Sequence, residues 1–361
     1  MRTAAAAAAV GRAAAAGRCR PESSVRTESP VRPARLVLLT VVVCALLAGS
    51  AGCSGSGQGS GSGAHASGAA GRPFVSAGTA RAVVAHYNKV NNTANRVRKK
   101  SLAATIETGS VLERTEATYA VYPTLPADQQ RELAKPFRYT KVRTYVPDHG
   151  DWFAATARTN TSATPRLLVF RKEKHAGAGV HAWRLAALVG LEERLPLPAV
   201  GRRGAVATAG VRARSGTLAP AQLAAAFTDL YATGGRGPGA RLDRGTRPAR
   251  RALAIHRNRD EGLGHAGVTK SFAGAEPAHS AVFALRTRDG GVLAVAPAAH
   301  TVRIEARRKG VRVTPSSAEA VFDGSARARI IDEQSGQLAA ALPRSGRPRV
   351  LGAAYALTGS R

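Results

Sequence analysis

Val83, Tyr87, Val90, Ala94 and Val97 are apolar positions four, three, four and three residues apart, the spacing of one stripe along a helix, and Thr79 stands where its N-cap belongs. Asn88, Asn91, Asn92 and Asn95 share a face beside that stripe. Asparagine costs a helix about 0.5 kcal/mol or more relative to alanine. Four of them in eight residues therefore predict that the amides are used. Two uses are open: bonding to neighbouring backbone, or lining a cleft, for which Asn88, Asn91 and Asn95 are the candidates. Leu102 and Ile106, then Val111, Leu112, Tyr119 and Tyr122, predict two shorter helices parted near Gly109, and residues 128–133 add a helical turn or two before Pro136.

Beyond Pro136 the period changes from helix to strand. Residues 137–146, 152–159, 166–174 and 180–189 are rich in aromatic, Thr and branched side chains and are separated by turn-forming clusters, which predicts four antiparallel neighbours. Residues 196–216 are broken by Pro, Gly and Arg and read as a junction. The order then repeats. A helix is predicted over 218–233, with Leu223, Phe227, Leu230 and Tyr231 on one face and Gly234 as its stop, and a shorter one over 247–259. Strands follow at 280–288, 291–296, 300–308, 311–314, 326–332, 337–342 and 348–357, with hairpin turns at 289–291 and 309–310. Helices first and a meander after, twice over, is an α+β order, and it divides the folded chain into domains at 76–195 and 217–361.

The first 75 residues have a different character. Residues 36–48 are an unbroken apolar run of 13, behind Arg32 and Arg35 and ahead of small residues. As a helix the run rises about 20 Å, short of the roughly 30 Å hydrocarbon core, so it reads as the export signal of a leader over 1–52 and not as a permanent span. Ala51-Gly52-Cys53 resembles the lipobox of bacterial lipoproteins, which implies that the Cys53 thiol receives diacylglycerol and becomes the new N-terminus; Ser50 stands where that pattern usually has Leu. Residues 54–72 hold 12 Gly or Ser in 19 positions, and with Cys53 they form a linker over 53–75. Such a coil has a root-mean-square reach of about 25 Å. Residues 1–30 are too long and featureless for a leader's first segment, and Met1 is the chain's one methionine, so a start at Val25 or Val31 is expected. The protein is expected on the outer face of the cell membrane, with plain secretion as the alternative.

Charge sharpens this picture. The 361-residue chain carries a formal net charge of +30, and because residues 1–52 hold seven Arg and two Glu, loss of the leader still leaves +25. Arg236, Arg241, Arg244, Arg247, Arg250 and Arg251 concentrate the charge in one segment, with Arg202, Arg203, Arg212 and Arg214 before it. In the cytoplasm such a segment would suggest nucleic acid; export removes that partner and leaves phospholipid headgroups or an anionic wall polymer.

Catalytic signatures are scarce. The three cysteines all fall within the first 53 residues, so the folded part has neither a disulfide nor a thiolate metal site. No pair of the nine histidines has metal-ligand spacing, and His256, Asp260, Glu261 and His265 read as a solvated helix end. Residues 262–267 spell GxGxxG but lack the preceding strand that a dinucleotide site needs. No cofactor or metal is expected. A pocket enzyme would draw on Glu107, Glu113, Glu116, Asp148, Asp151 or Glu173, with Tyr119 or His149.

VNNTANR (90–96), SLAATIETGSVLE (101–113), PFRYTKVRTYVP (136–147), DWFA (151–154) and RPRVLGAAYALTG (347–359) resemble actinobacterial envelope lipoproteins with a two-part extracytoplasmic domain of unknown function. Each half's helix-then-sheet order is similar to cone-shaped folds of the nuclear-transport-factor-2 type. The resemblance implies an anchored envelope protein and brings no activity with it. The expected role is non-catalytic binding or structure at the envelope, facing an anionic polymer or membrane surface; a pocket enzyme and a solute-binding lipoprotein are the alternatives.

Overall fold

Ser76, and not Thr79, caps the first helix: its Oγ accepts from the Thr79 amide at 3.0 Å, and α1 runs Ala77–Val97. The computed structural model describes residues 71–361 except Gly262, Gly264, His265 and Ala266, so the leader, Cys53, most of the linker and most of the 262–267 loop lie outside the described residues. The buried face of α1 includes Ala80, Val84, Asn88 and Asn91 besides Val83, Tyr87 and Ala94, while Val97 is exposed. The stripe thus turns toward the amides and takes two of them inside. Three more helices follow, α2 (Lys100–Ala103), α3 (Gly109–Val121) and α4 (Ala127–Ala134).

Four strands then form the expected meander, β1 (Tyr139–Tyr145), β2 (Trp152–Thr159), β3 (Ser162–Lys172) and β4 (Trp183–Gly190), antiparallel and in chain order. The second half opens with α5 (Leu223–Ala232), stopped by Gly234 at φ 73°, and α6 (Arg247–Arg257), capped by Thr246. Its sheet contains β5 (Val268–Ala275), β6 (Phe283–Arg286), β7 (Val292–Ala306), β8 (Arg329–Leu342) and β9 (Arg349–Ser360), ordered β5-β7-β8-β9 with β6 also paired to β7. Helices and two antiparallel sheets make this an α+β fold. No helix among the described residues is long and apolar enough to cross a membrane.

Several strand boundaries differ from expectation, for local reasons. Residues 291–296 and 300–308 belong to one strand, β7. Pro297 falls between Val295, the last β7 residue paired with β6, and Ala299, the first paired with β5, an edge position that tolerates a residue without an N–H. Residues 326–332 and 337–342 likewise merge into β8, because Gly336 lies under the ring of its cross-strand partner Tyr355, where a Cβ would collide. Residues 311–314 contribute only a bridge from Val313 to Arg327, so the 309–310 turn closes no hairpin; β5 has no counterpart among the expected strands.

Alternation along the strands explains how the halves meet. Leu168 and Phe170 of β3 face the α1 side, packing with Val83, Val84, Tyr87 and Phe153. Leu167 and Val169, on the other face, join Phe283, Leu285, Leu293, Val295 and Leu351 in a core shared by both sheets. Ala294, Ala296 and Ala298 of β7 turn the opposite way, onto Phe227 and Leu230 of α5. Each sheet is therefore apolar on both faces, with helices outside and the two sheets against each other. The junction is stitched across them by bridges from Val206 to Pro147 and from Thr208 to Leu285.

Candidate functional site

The four helical asparagines divide into two pairs with different surroundings. Asn88 and Asn92, one turn apart, clamp the backbone leading into β1: both amide nitrogens donate to Phe137 O, at 2.9 and 2.7 Å, while their oxygens accept from Tyr139 N and Phe137 N at 3.1 Å each. Asn91 and Asn95 look elsewhere. With Tyr87 and Arg98 they line one wall of a pocket, at intervals of four, four and three residues along α1. Val111, Arg114, Thr115, Thr118, Tyr119 and Tyr122 form the facing wall from α3 onward, and Leu133 and Leu188 complete it. The space free of atoms is about 650 Å³ with the mouth included.

Glu107 lies at the pocket's base, 3% exposed. Its Oε1 accepts from the Tyr87 hydroxyl at 2.9 Å, and its Oε2 has no hydrogen-bond partner. An unsatisfied buried acceptor costs about 1–3 kcal/mol. Burial pushes the Glu107 carboxyl up to about 7, although the nearby Thr115 and Tyr87 hydroxyls and the Arg114 charge draw it down. Arg114 is itself buried, which brings its guanidinium down to about 10. It donates to Ser110 O, Ala354 O, Leu188 O and Gln337 Oε1 at 3.2–3.3 Å. Gln337 of β8 in turn accepts from Leu188 N and donates to Ala186 O, at 2.9 and 2.7 Å. The pocket's base is therefore fastened to both sheets. Toward the mouth, Tyr119 donates to Asn95 Oδ1 at 2.7 Å, and Arg98 stacks over the Tyr122 ring at 4.3 Å.

Of the carboxylates singled out by sequence, Glu107 enters this pocket together with Tyr119. Glu113 accepts from the Ser335 hydroxyl, Glu173 pairs with Arg171, and Asp148 holds His149 and the Gly71 amide. His256 is bound through Nδ1 to Tyr231 O at 2.7 Å, and Asp260 accepts from Lys270 N. Among the described residues no three His, Cys, Asp or Glu side chains gather as a metal site would require. Two further buried titratable groups lie in the second half. Asp332 is raised well above the carboxylate range by burial and by its neighbour Glu319. His300, stacked on Tyr231, is lowered to about 4 by burial.

The arginines form a second region of interest. Three loops meet at one end of the second half: Gly216 N donates to Arg344 O at 3.3 Å, Thr217 N to Gly346 O at 3.0 Å, the Thr217 hydroxyl to Arg241 O at 2.8 Å, and Asp243 N to Pro348 O at 2.9 Å. These bonds bring together segments bearing Arg212, Arg214, Arg241, Arg244, Arg344, Arg347 and Arg349, all exposed. Arg236, Arg247 and Arg250 are also exposed, the latter two on α6, which starts at the same loop. Arg251 differs, being half-buried and paired with Glu192 at 2.6 Å. Arg349 reaches Glu193 and Asp243, and Arg244 donates to Gly235 O. Among the described residues no carboxylate lies within ion-pair distance of the guanidinium groups of Arg236, Arg241, Arg244, Arg247 or Arg250, although Glu193 Oε1 accepts from the Arg247 backbone N–H at 2.8 Å. The role of Arg344, Arg347 and Arg349 was not legible from spacing, since about a hundred residues separate them from Arg241 in sequence.

An uncharacterised lipoprotein of Streptomyces coelicolor is 29% identical over 292 residues, covering 78% of this chain and 80% of that protein. Residues 71–361, which take in the pocket, the arginine loops and both sheets, match the domain of unknown function DUF8094, and the chain belongs to that family.

Proposed function

We propose that this protein is a lipid-anchored, extracytoplasmic binding protein, held to the membrane through Cys53 and seated against an anionic polymer or membrane surface by its arginine loops. The relative's description as a lipoprotein supports the anchor, as does the leader ending at Cys53. The observation that carries the surface reading is the set of backbone bonds joining the 212–217, 241–247 and 344–349 loops. Those bonds hold three arginine-bearing segments beside one another, with Asp243 and Glu193 as acids paired to Arg349. Exposed guanidinium groups without carboxylate partners keep their charge available to phosphate, which they bind bidentately.

The test uses the full chain carrying Cys53→Ser, so that no lipid contributes, against a purified anionic wall polymer and against vesicles containing anionic lipid. Arg241→Glu, Arg247→Glu and Arg347→Glu together are expected to weaken binding at least tenfold while leaving thermal unfolding unchanged. Unchanged binding to both surfaces would reject the proposal.

A further inference from the structure

We infer that the pocket between α1 and α3 binds an uncharged small molecule through adjacent hydroxyl groups, as on the edge of a monosaccharide or a short polyol. The site is independent of the arginine loops, and its chemistry is set by which polar groups the protein leaves open. Glu107 Oε2 is buried and unpartnered. Asn91, 4% exposed, makes no hydrogen bond to any described residue, and Asn95 uses its oxygen on Tyr119, leaving its amide nitrogen without a partner among them. The open set is therefore a carboxyl oxygen at the base, an acceptor when ionised and a donor when protonated, with an amide of both characters and a donor above it. A hydroxyl both donates and accepts, so neighbouring hydroxyls can satisfy such a mixed row in a way that a single charged group cannot.

Electrostatics favours a neutral ligand over a charged one. A cation entering the pocket meets the buried charge of Arg114 below and Arg98 at the rim. An anion meets the Glu107 carboxyl at the base, and the Arg114 nitrogens that could have received it already donate to four protein acceptors, which leaves Arg98 at the rim as its cationic partner in the pocket lining. Neutral ligands avoid both penalties. Size agrees: the space of about 650 Å³, mouth included, lies in the range of small-molecule sites. The Tyr87, Tyr119 and Tyr122 rings with Val111, Leu133 and Leu188 supply the apolar surface that C–H faces of such a molecule would cover.

Saturation-transfer NMR on the full chain carrying Cys53→Ser, with glucose, glycerol, glucosamine and glucuronate as probes, tests this directly. Transfer to glucose or glycerol is expected, with each charged sugar at least tenfold weaker than glucose; glucose above glycerol would mark a ring edge, the reverse a short polyol. Asn91→Leu, which fills the pocket, should remove the signal at least tenfold. Should that variant fail to fold, Asn95→Ala at a half-buried position should weaken binding at least threefold. Absence of transfer to both neutral probes, preference for a charged sugar, or undiminished binding by a folded Asn91→Leu or Asn95→Ala protein would overturn the inference.

Discussion

In the second half, α5 lays Leu223, Ala226, Phe227 and Leu230 directly on strands lined with alanine, Ala294, Ala296 and Ala298 of β7 and Ala340 of β8. In the first half, α1 and α3 face each other across Asn91, Glu107, Arg114 and Tyr119, and a pocket is left between them. Both halves have helices before an antiparallel sheet, so the order of elements does not decide whether a cavity forms. Side-chain size and polarity do. Alanine strands let a helix approach until apolar atoms touch, whereas the Tyr87–Glu107 and Tyr119–Asn95 side-chain bonds span the space between α1 and the facing wall and set its width.

This contrast predicts how each half responds to perturbation. Phe227 is wholly buried against the alanine strands, so truncating it leaves a cavity in this core. Phe227→Ala is expected to cost about 3–5 kcal/mol, read from urea unfolding. A cost below about 1 kcal/mol would show that the second half is not packed as described.

The acidity of buried groups gives a second handle. Glu107 binds its proton more tightly folded than unfolded, since its carboxyl rises from an ordinary 4.5 to about 7. Its contribution to stability is therefore fully present below about pH 4.5 and is lost as pH rises through about 7. Asp332, also raised, acts with the same sign. His300 acts oppositely: lowered from 6.5 to about 4, it supports the fold above about pH 6.5 and withdraws that support as pH falls through 4. The melting temperature should thus fall by several degrees from about pH 5 to pH 8, and Glu107→Gln should flatten part of that slope. A slope unaffected by Glu107→Gln would contradict the buried position of this carboxyl.

The smallest effect separates neighbouring asparagines. Asn88→Ala removes two bonds to the backbone at Phe137 and Tyr139 and should cost about 1–3 kcal/mol. Asn91→Ala removes no bond to a described residue and should stay within about 0.5 kcal/mol. Equal losses at the two positions would break the division of α1 into a clamping pair and a pocket-lining pair.

Much of the fold was legible from periodicity. The first meander and the long helices follow from apolar spacing and turn residues, and so does the α+β order. The merged strands were not, because Pro297 and Gly336 carry the local signature of a break and owe their place to partners far away, the gap between β5 and β6 and the ring of Tyr355. The same limit applies to function. An unusual density of Asn on one helix was visible, as was a list of carboxylates, but one helical turn separates clamping from lining, and nothing in spacing distinguishes Glu107 from Glu113. The meeting of the arginine-bearing segments depends on backbone bonds between loops about a hundred residues apart, which no local pattern encodes.

Polyanion binding by these loops is open to a salt series on the Cys53→Ser full chain with purified anionic wall polymer and anionic vesicles. Binding to one of these surfaces should be firm at low ionic strength and should weaken steeply as salt shortens the Debye length from about 30 Å at 0.01 M to about 8 Å at 0.15 M. Binding that is absent at low salt, or that persists unchanged across the series, would contradict it.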